Sequence, residues 1–250
     1  MIKLLALDVD GTITEEDQTI GTETIEMLRN IKMKDPSLLM ALVSGNALPI
    51  LVGIRNTIGV GDILFAENGG IMFSYLDMPV EKVKYIGKYK ALTIDRGNMR
   101  NLSWTLKFFQ RDIPEIELNR IKEKFEIEEF FTNKWRDTSL SINARPHDIE
   151  AILDFVKDAK IQNSGYALHI MNKGQDKGFA IRKIIEYTGV RKDQILACGD
   201  GGNDIDMFKN AEFSGTPKNG SKEAKLNCNY ISSYSYGRGL KDILNHYGLI

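Results

Sequence analysis

Ile2-Lys-Leu-Leu-Ala-Leu-Asp-Val-Asp-Gly-Thr12 opens the chain with an apolar run that ends in two carboxylates one residue apart and a glycine. A run this continuous reads as a strand buried on both faces. Side chains alternate along a strand, so Asp8 and Asp10 leave its tip on the same side, and Gly11 lets the backbone turn sharply. Two like charges so close are costly unless a cation or a reaction requires them. The segment is therefore a candidate for a metal-assisted site. Asp and Gly after a strand also form plain turns, so this piece decides the matter only if matching pieces lie elsewhere. A calcium loop is excluded, because the glycine falls too early and Thr19 stands where a bidentate Glu is required. No Gly-x-Gly-x-x-Gly follows the strand, which excludes a dinucleotide fingerprint.

The 250 residues carry a formal net charge of −1 and are 42% hydrophobic, enough for one large domain or two modest ones. With neither sign of charge dominant, the balance speaks against a nucleic-acid binder or a polybasic membrane protein. No apolar stretch is long enough to span a bilayer, and Lys3 and Asp8 rule out a signal-peptide core at the start. The 2 cysteines, Cys198 and Cys228, lie far apart without histidines at ligand spacing, and Cys198 sits in an apolar run as a buried thiol would. A cytoplasmic setting is expected.

From Ile2 to about Phe73 strands and helices alternate. Helical rhythm over 22–31 and 48–58 separates apolar runs at Leu38–Val43 and Ile63–Ala66, and the alternation returns with a helix over 177–188, an apolar run at 194–198 and a last helix over 239–245. This predicts an α/β core, a Rossmann-like doubly wound parallel sheet with helices on both faces. The middle is richer in charge. Amphipathic helices are expected over 115–131 and 149–159, and Ser139–Asn143 and Ala167–Met171 alternate polar and apolar residues as half-exposed antiparallel strands do. We read 1–80 and 173–250 as the core and 81–172 as an inserted α+β domain.

Three further pieces join the first. Ser44-Gly45 follows a buried strand, where a hydroxyl and backbone N–H groups could cradle a phosphate oxygen, although Ser and Gly are also default turn formers. Lys177 opens a helix, where a cation opposes the helix dipole unless an anion sits nearby. Gly199-Asp-Gly-Gly-Asn-Asp204 places Asp200, Asn203 and Asp204 on a glycine-rich loop after a buried strand, an oxygen donor set that suits Mg²⁺. All four pieces fall where open α/β sheets bind ligands, beyond the carboxyl ends of the strands.

These four motifs, in this order, resemble those of the haloacid dehalogenase superfamily, and the insertion is similar in position to a C2-type cap. Ser44-Gly-Asn46, Glu67-Asn-Gly-Gly-Ile-Met-Phe73, Thr132-Asn-Lys-Trp-Arg136, His169-Ile-Met-Asn172 and Tyr234-Ser-Tyr-Gly237 further resemble the archaeal phosphoglycolate phosphatases. The core matches over nearly all of its length, the cap only in patches, and 107–119 looks like extra length. The resemblance implies a Mg²⁺-dependent phosphomonoesterase with Asp8 as nucleophile and Asp10 as general acid and base. It implies a Mg²⁺ site made by Asp8, the Asp10 carbonyl, Asp200 and Asp204, and a phosphate held by Ser44, Gly45 and Lys177. Thr12 is expected to orient Asp8, and Asn203 to position Lys177 or the phosphate.

The expected partner is a small phosphorylated metabolite, most readily 2-phosphoglycolate, with neither nucleic acid nor membrane involved and a homodimer left open. Lys134, Arg136, Arg145 and His169 are the cap residues that could read the leaving group. Two alternatives stay open: a sugar-phosphate phosphatase with the same cap, and a phosphomutase using the same aspartyl-phosphate chemistry.

Overall fold

The computed structural model describes residues 1–76, 91–94, 103–164 and 167–250. Strands β1 (Leu4–Leu7), β2 (Leu39–Val43), β3 (Ile63–Ala66), β11 (Ile195–Cys198), β12 (Phe213–Thr216) and β13 (Tyr230–Ile231) run parallel. Beyond β3, strands β4 (Ile71–Ser74), β6 (Ser103–Lys107) and β5 (Ala91–Ile94) continue the same sheet antiparallel. The order is β13-β12-β11-β1-β2-β3-β4-β6-β5. Because β1 is central, both of its faces are covered, which is why its sequence is apolar without alternation. Leu5 and Leu7 pack in a fully buried layer with α1 (Thr22–Lys34), α2 (Leu48–Ile58) and α8 (Tyr236–His246). Leu4 and Ala6 point the other way, into the layer covered by α5 (Lys177–Thr188), α6 (Ile205–Lys209) and α7 (Lys222–Asn227). Each such leucine contributes roughly 1.5–3 kcal/mol by burial.

Register brings the functional segments together. Leu7 lies level with Leu42 and Cys198, and Leu42 with Leu64, so the loops after β1, β2, β3 and β11 emerge side by side. Asp176 caps α5 by accepting the Phe179 N–H at 2.7 Å, and Gly189 ends that helix in the left-handed conformation. Lys177 is thereby fixed at the same sheet edge.

The inserted unit is a second sheet, β7 (Ile127–Glu129), β8 (Ser139–Ala144), β10 (Leu168–Met171) and β9 (Lys160–Asn163), antiparallel and in that order. Leu140, Ile142, Leu168 and Ile170 join Leu118 and Ile121 of α3 (Asp112–Lys122) and Ile152 of α4 (Ile149–Phe155) in a separate apolar core. Ser141 and His169, opposite each other in register, take the other face of the sheet and point at the core domain. The polar–apolar alternation of these strands thus sorts one face to the helices and the other to a cleft.

Three boundaries differ from the sequence reading. The insertion does not begin at 81: β5 and β6 belong to the core sheet, and the described elements of the cap run from α3 to β10, while 77–90, 95–102 and 165–166 lie outside the described residues. The helix expected over 115–131 spans Asp112–Lys122, after which Phe125 and Ile127 alternate into β7. The helix expected to reach 159 stops at Phe155, where Val156 turns extended and the chain enters β9.

The cap rests on the core through a buried carboxylate. Glu67 accepts the N–H groups of Asp137, Thr138 and Ser139, each at 2.8 Å, and the hydroxyls of Thr138 and Ser139 at 2.9 and 3.0 Å. Gln175 ties the same place, donating to the Glu67 carbonyl at 2.7 Å and to the Thr138 hydroxyl at 3.1 Å. On the opposite side Lys160 of β9 reaches Asp176 and Asp206 of the core at 3.2 Å each. Among the described residues no helix is long and apolar enough to cross a membrane.

Candidate active site

Asp8 stands at the tip of β1 and its main-chain N–H bonds to the Cys198 carbonyl at 2.9 Å, so the loop after β11 runs directly alongside. One carboxylate oxygen each from Asp8, Asp200 and Asp204 fall within 4.8 Å of one another. Lys177, fully buried, donates to Asp8 at 2.5 Å and to Asp204 at 2.6 Å. Gly11 is required at its position twice over: its φ of +78° suits glycine, and a β-carbon there would collide with the Asp200 carboxylate. A β-carbon at Gly199 would likewise collide with the Asp204 carboxylate. Both glycines exist to let acidic side chains approach.

The electrostatics are lopsided, with three carboxylates sharing one ammonium. Burial raises the Asp8 carboxyl, against the pull of Lys177 and with the repulsion of Asp10. Burial, then the charges of Asp8 and Asp204, push Asp200 up to about 9, and burial with Asp8 pushes Asp204 up to about 6. For Lys177 burial alone would lower the ammonium, but Asp204 and Asp8 outweigh it and raise it. A buried acidic cluster of this kind demands more positive charge than one lysine supplies. Hard carboxylate oxygens at this spacing fit a divalent cation of the Mg²⁺ type. Asp8, Asp200 and Asp204 would hold it.

Asp10 sits apart from that cluster. Asn46 donates to it at 2.8 Å, and its carboxyl is raised by burial, with Lys177 and the Asn46 bond opposing. Asp8, Asp10 and Asp200 open into a cavity of about 270 Å³ closed on its far side by the cap. Gly45, Asn46 and Asn203 line it from the core, and Arg136 and His169 from the cap. His169 uses both ring nitrogens, toward the Ser141 hydroxyl at 3.0 Å and the Ser164 hydroxyl at 3.1 Å. Burial, reinforced by Arg136 and Lys177, lowers its imidazole to about 3, so it is neutral at physiological pH.

The structure brings together Asp8, Asp10, Gly45, Lys177, Asp200, Asn203 and Asp204. Ser44 is fully buried beneath the cavity, its hydroxyl accepting the Asn46 N–H at 3.0 Å. One expected role is corrected and another narrowed. Thr12 does not orient Asp8: its hydroxyl is buried without a partner among the described residues, and Thr14 closes the turn by accepting the Gly11 N–H at 2.9 Å. Asn203 makes no bond to Lys177, which Asp8 and Asp204 fix; it donates to Asn68 at 3.4 Å and lines the cavity, where the other expected role, toward the phosphate, would place it. Of the cap candidates, Arg136 and His169 reach the cavity. Lys134 is exposed, 4.6 Å from the centre of the Trp135 ring, and Arg145 pairs with Glu126 on the surface.

Sequence reasoning missed Asn46, Glu67, Asn68 and Gln175 as parts of this machinery. Glu67 and Asn68 both adopt positive φ, 53° and 52°. A turn of Asn-Gly-Gly signals such a backbone, but nothing local signals that the Glu before it anchors a segment 70 residues away.

The sequence matches the haloacid dehalogenase-like hydrolase family over residues 5–244. The chain belongs to that family. Among curated relatives of this hydrolase, a phosphoglycolate phosphatase of Picrophilus torridus is 38% identical, covering 100% of this chain and 93% of that one. One of Thermoplasma volcanium is 33% identical and covers 100% of both. A crystal structure from Thermoplasma acidophilum superposes with a TM-score of 0.82 at 30% identity over 100% of both chains. The sucrose-phosphatase of Synechocystis, at 17% identity and a TM-score of 0.69 over 99% of this chain and 98% of that one, shares the fold.

Proposed function

We propose that this hydrolase is a divalent-cation-dependent phosphomonoesterase acting through an aspartyl-phosphate on Asp8, with 2-phosphoglycolate as its substrate. The observation that carries the reading is the exposure of the Asp8 carboxylate to a small capped cavity, with Lys177 and the Asp200–Asp204 carboxylates on one side and Asp10 on the other. The curated relatives named phosphoglycolate phosphatases support the choice of ester.

The steps follow from the residues. A carboxylate oxygen of Asp8 attacks phosphorus as the ester P–O bond breaks, and the leaving alkoxide takes the proton of the Asp10 carboxyl. Asp10 can carry that proton because burial raises its carboxyl, while Asn46 fixes its orientation. Water then attacks phosphorus, yields a proton to Asp10, and releases phosphate and the Asp8 carboxylate. Lys177, Ser44 and the N–H group of Gly45 would hold phosphoryl oxygens where charge spreads. A cation bound by Asp8, Asp200, Asp204 and the Asp10 carbonyl would offset the repulsion between the carboxylates and the phosphate dianion. The cap excludes bulk water from the cavity.

The test is a phosphate-release panel of 2-phosphoglycolate, sugar phosphates and p-nitrophenyl phosphate with Mg²⁺ or with EDTA. We expect cation-dependent release with the highest kcat/KM for 2-phosphoglycolate. Higher values for sugar phosphates, or turnover that depends on a bisphosphate activator, would replace the reading with a sugar phosphatase or a phosphomutase.

A further inference from the structure

Arg136 is a buried cation with no carboxylate in direct contact: the charges of Glu67 and Asp10 act on it from beyond ion-pair distance, Glu67 through the shared Ser139 hydroxyl. Its residue is 5% exposed, and no Asp or Glu oxygen lies within ion-pair distance among the described residues. One terminal nitrogen donates to the Gly45 carbonyl at 2.8 Å and to the Ser139 hydroxyl at 3.2 Å. Its Nε is buried and meets no acceptor. A guanidinium has five N–H donors in a fixed fork, and burying it with donors unmet is unfavourable unless an anion completes the set. Arg136 lines the cavity, so an anion bound there can complete the set.

The surroundings narrow what that anion is. The phosphoryl end of a substrate is fixed at Asp8 by the chemistry, beside Lys177, whereas Arg136 comes from the cap and meets the phosphate loop only at a carbonyl. His169, the other ionisable cap residue on the cavity wall, has both nitrogens committed to serines. Among the described residues the cap therefore offers one cationic fork to the part of the ester that leaves. A cavity of about 270 Å³ leaves room beyond the phosphoryl group for only a few heavy atoms.

We propose that Arg136 binds the carboxylate of the leaving group, so that the cap selects short phosphorylated hydroxy acids over uncharged esters of the same size. This rests on the phosphatase reading above and deepens it. A carboxylate answers the fork bidentately, a geometry that a hydroxyl or methyl group cannot match.

The experiment compares 2-phosphoglycolate with ethyl phosphate, which has the same two-carbon skeleton and no carboxylate, on wild type, Arg136→Gln and Arg136→Lys. Gln retains a donor for the Gly45 carbonyl while removing the charge, and Lys retains the charge while removing the fork. We expect wild type to prefer the carboxylated ester and Arg136→Gln to lose about 30-fold or more of that preference, mainly through a rise in KM for 2-phosphoglycolate. Arg136→Lys should keep an intermediate preference. Equal losses on both esters in either variant would mean that Arg136 grips the phosphoryl group or supports the fold, and would overturn the inference. A preserved preference would overturn it as well. Wild type without any preference would instead refute the substrate reading. If Arg136→Gln does not fold, the Lys variant decides on the same ratio.

Discussion

Glu67→Gln removes one acceptor oxygen from the joint between cap and core and changes almost nothing else. Both carboxylate oxygens of Glu67 receive backbone N–H groups, Asp137 on one and Thr138 and Ser139 on the other, so the side chain acts only as an acceptor. In the variant the amide NH₂ must face at least one N–H, orphaning a buried donor at a cost of about 1–3 kcal/mol. The remaining bonds lose charge assistance, roughly 0.5–1 kcal/mol each, and relief from burying a charge offsets part of that. The net loss is about 2–4 kcal/mol. For a chain of this size that lowers Tm by roughly 4–16 °C. Urea unfolding followed by far-ultraviolet circular dichroism measures it directly. The hydroxyls of Thr138 and Ser139 can rotate to bond elsewhere, but the three N–H groups cannot. A loss below about 0.5 kcal/mol would refute the claim that this carboxylate fastens the cap.

Gly11→Ala should cost about 1–2 kcal/mol through its positive φ and, by displacing the Asp200 carboxylate, reduce kcat/KM by about 100-fold. Near-normal turnover with weaker stability alone would separate Gly11 from the site. His169 contributes an acid-sensitive term: its native imidazole titrates near 3 against 6.5 when unfolded, so the unfolded chain binds the extra proton between those values and stability falls as pH drops. At pH 5 the loss is about 2 kcal/mol relative to pH 7.5, and His169→Asn should remove it. Parallel pH profiles of stability for wild type and variant would count against a buried neutral imidazole.

The core was legible because its chemistry is written at strand ends. Continuous apolar runs fix which strands are central, and the acidic or glycine-rich loops after them inherit their positions from sheet register. Asp8, Asp10, Lys177, Asp200 and Asp204 converge for that reason, although 169 residues separate Asp8 from Lys177. The alternation in Ser139–Asn143 and Ala167–Met171 marks the cap as antiparallel, but its start is not legible, because β5 and β6 return to the core sheet through antiparallel pairing. Thr12 and Asn203 illustrate a different gap. The resemblance implied roles that a side-chain rotation decides: the Thr12 hydroxyl meets no partner among the described residues, and the Asn203 amide donates to Asn68. Glu67 and Asn46 act across long sequence separations, which no local pattern encodes.

Covalent transfer of the phosphoryl group to the first aspartate is the step on which every other residue role depends. Asp10→Asn keeps the nucleophile but lacks both the acid for the leaving group and the base for hydrolysis. It should therefore be mixed with Mg²⁺ and p-nitrophenyl phosphate, whose leaving group departs without a proton, then quenched in denaturant and reduced with borohydride, which converts an aspartyl-phosphate to homoserine. We expect homoserine at position 8 and at no other aspartate. Reduction at a different residue, or full phosphate release from Asp8→Asn under the same conditions, would contradict it.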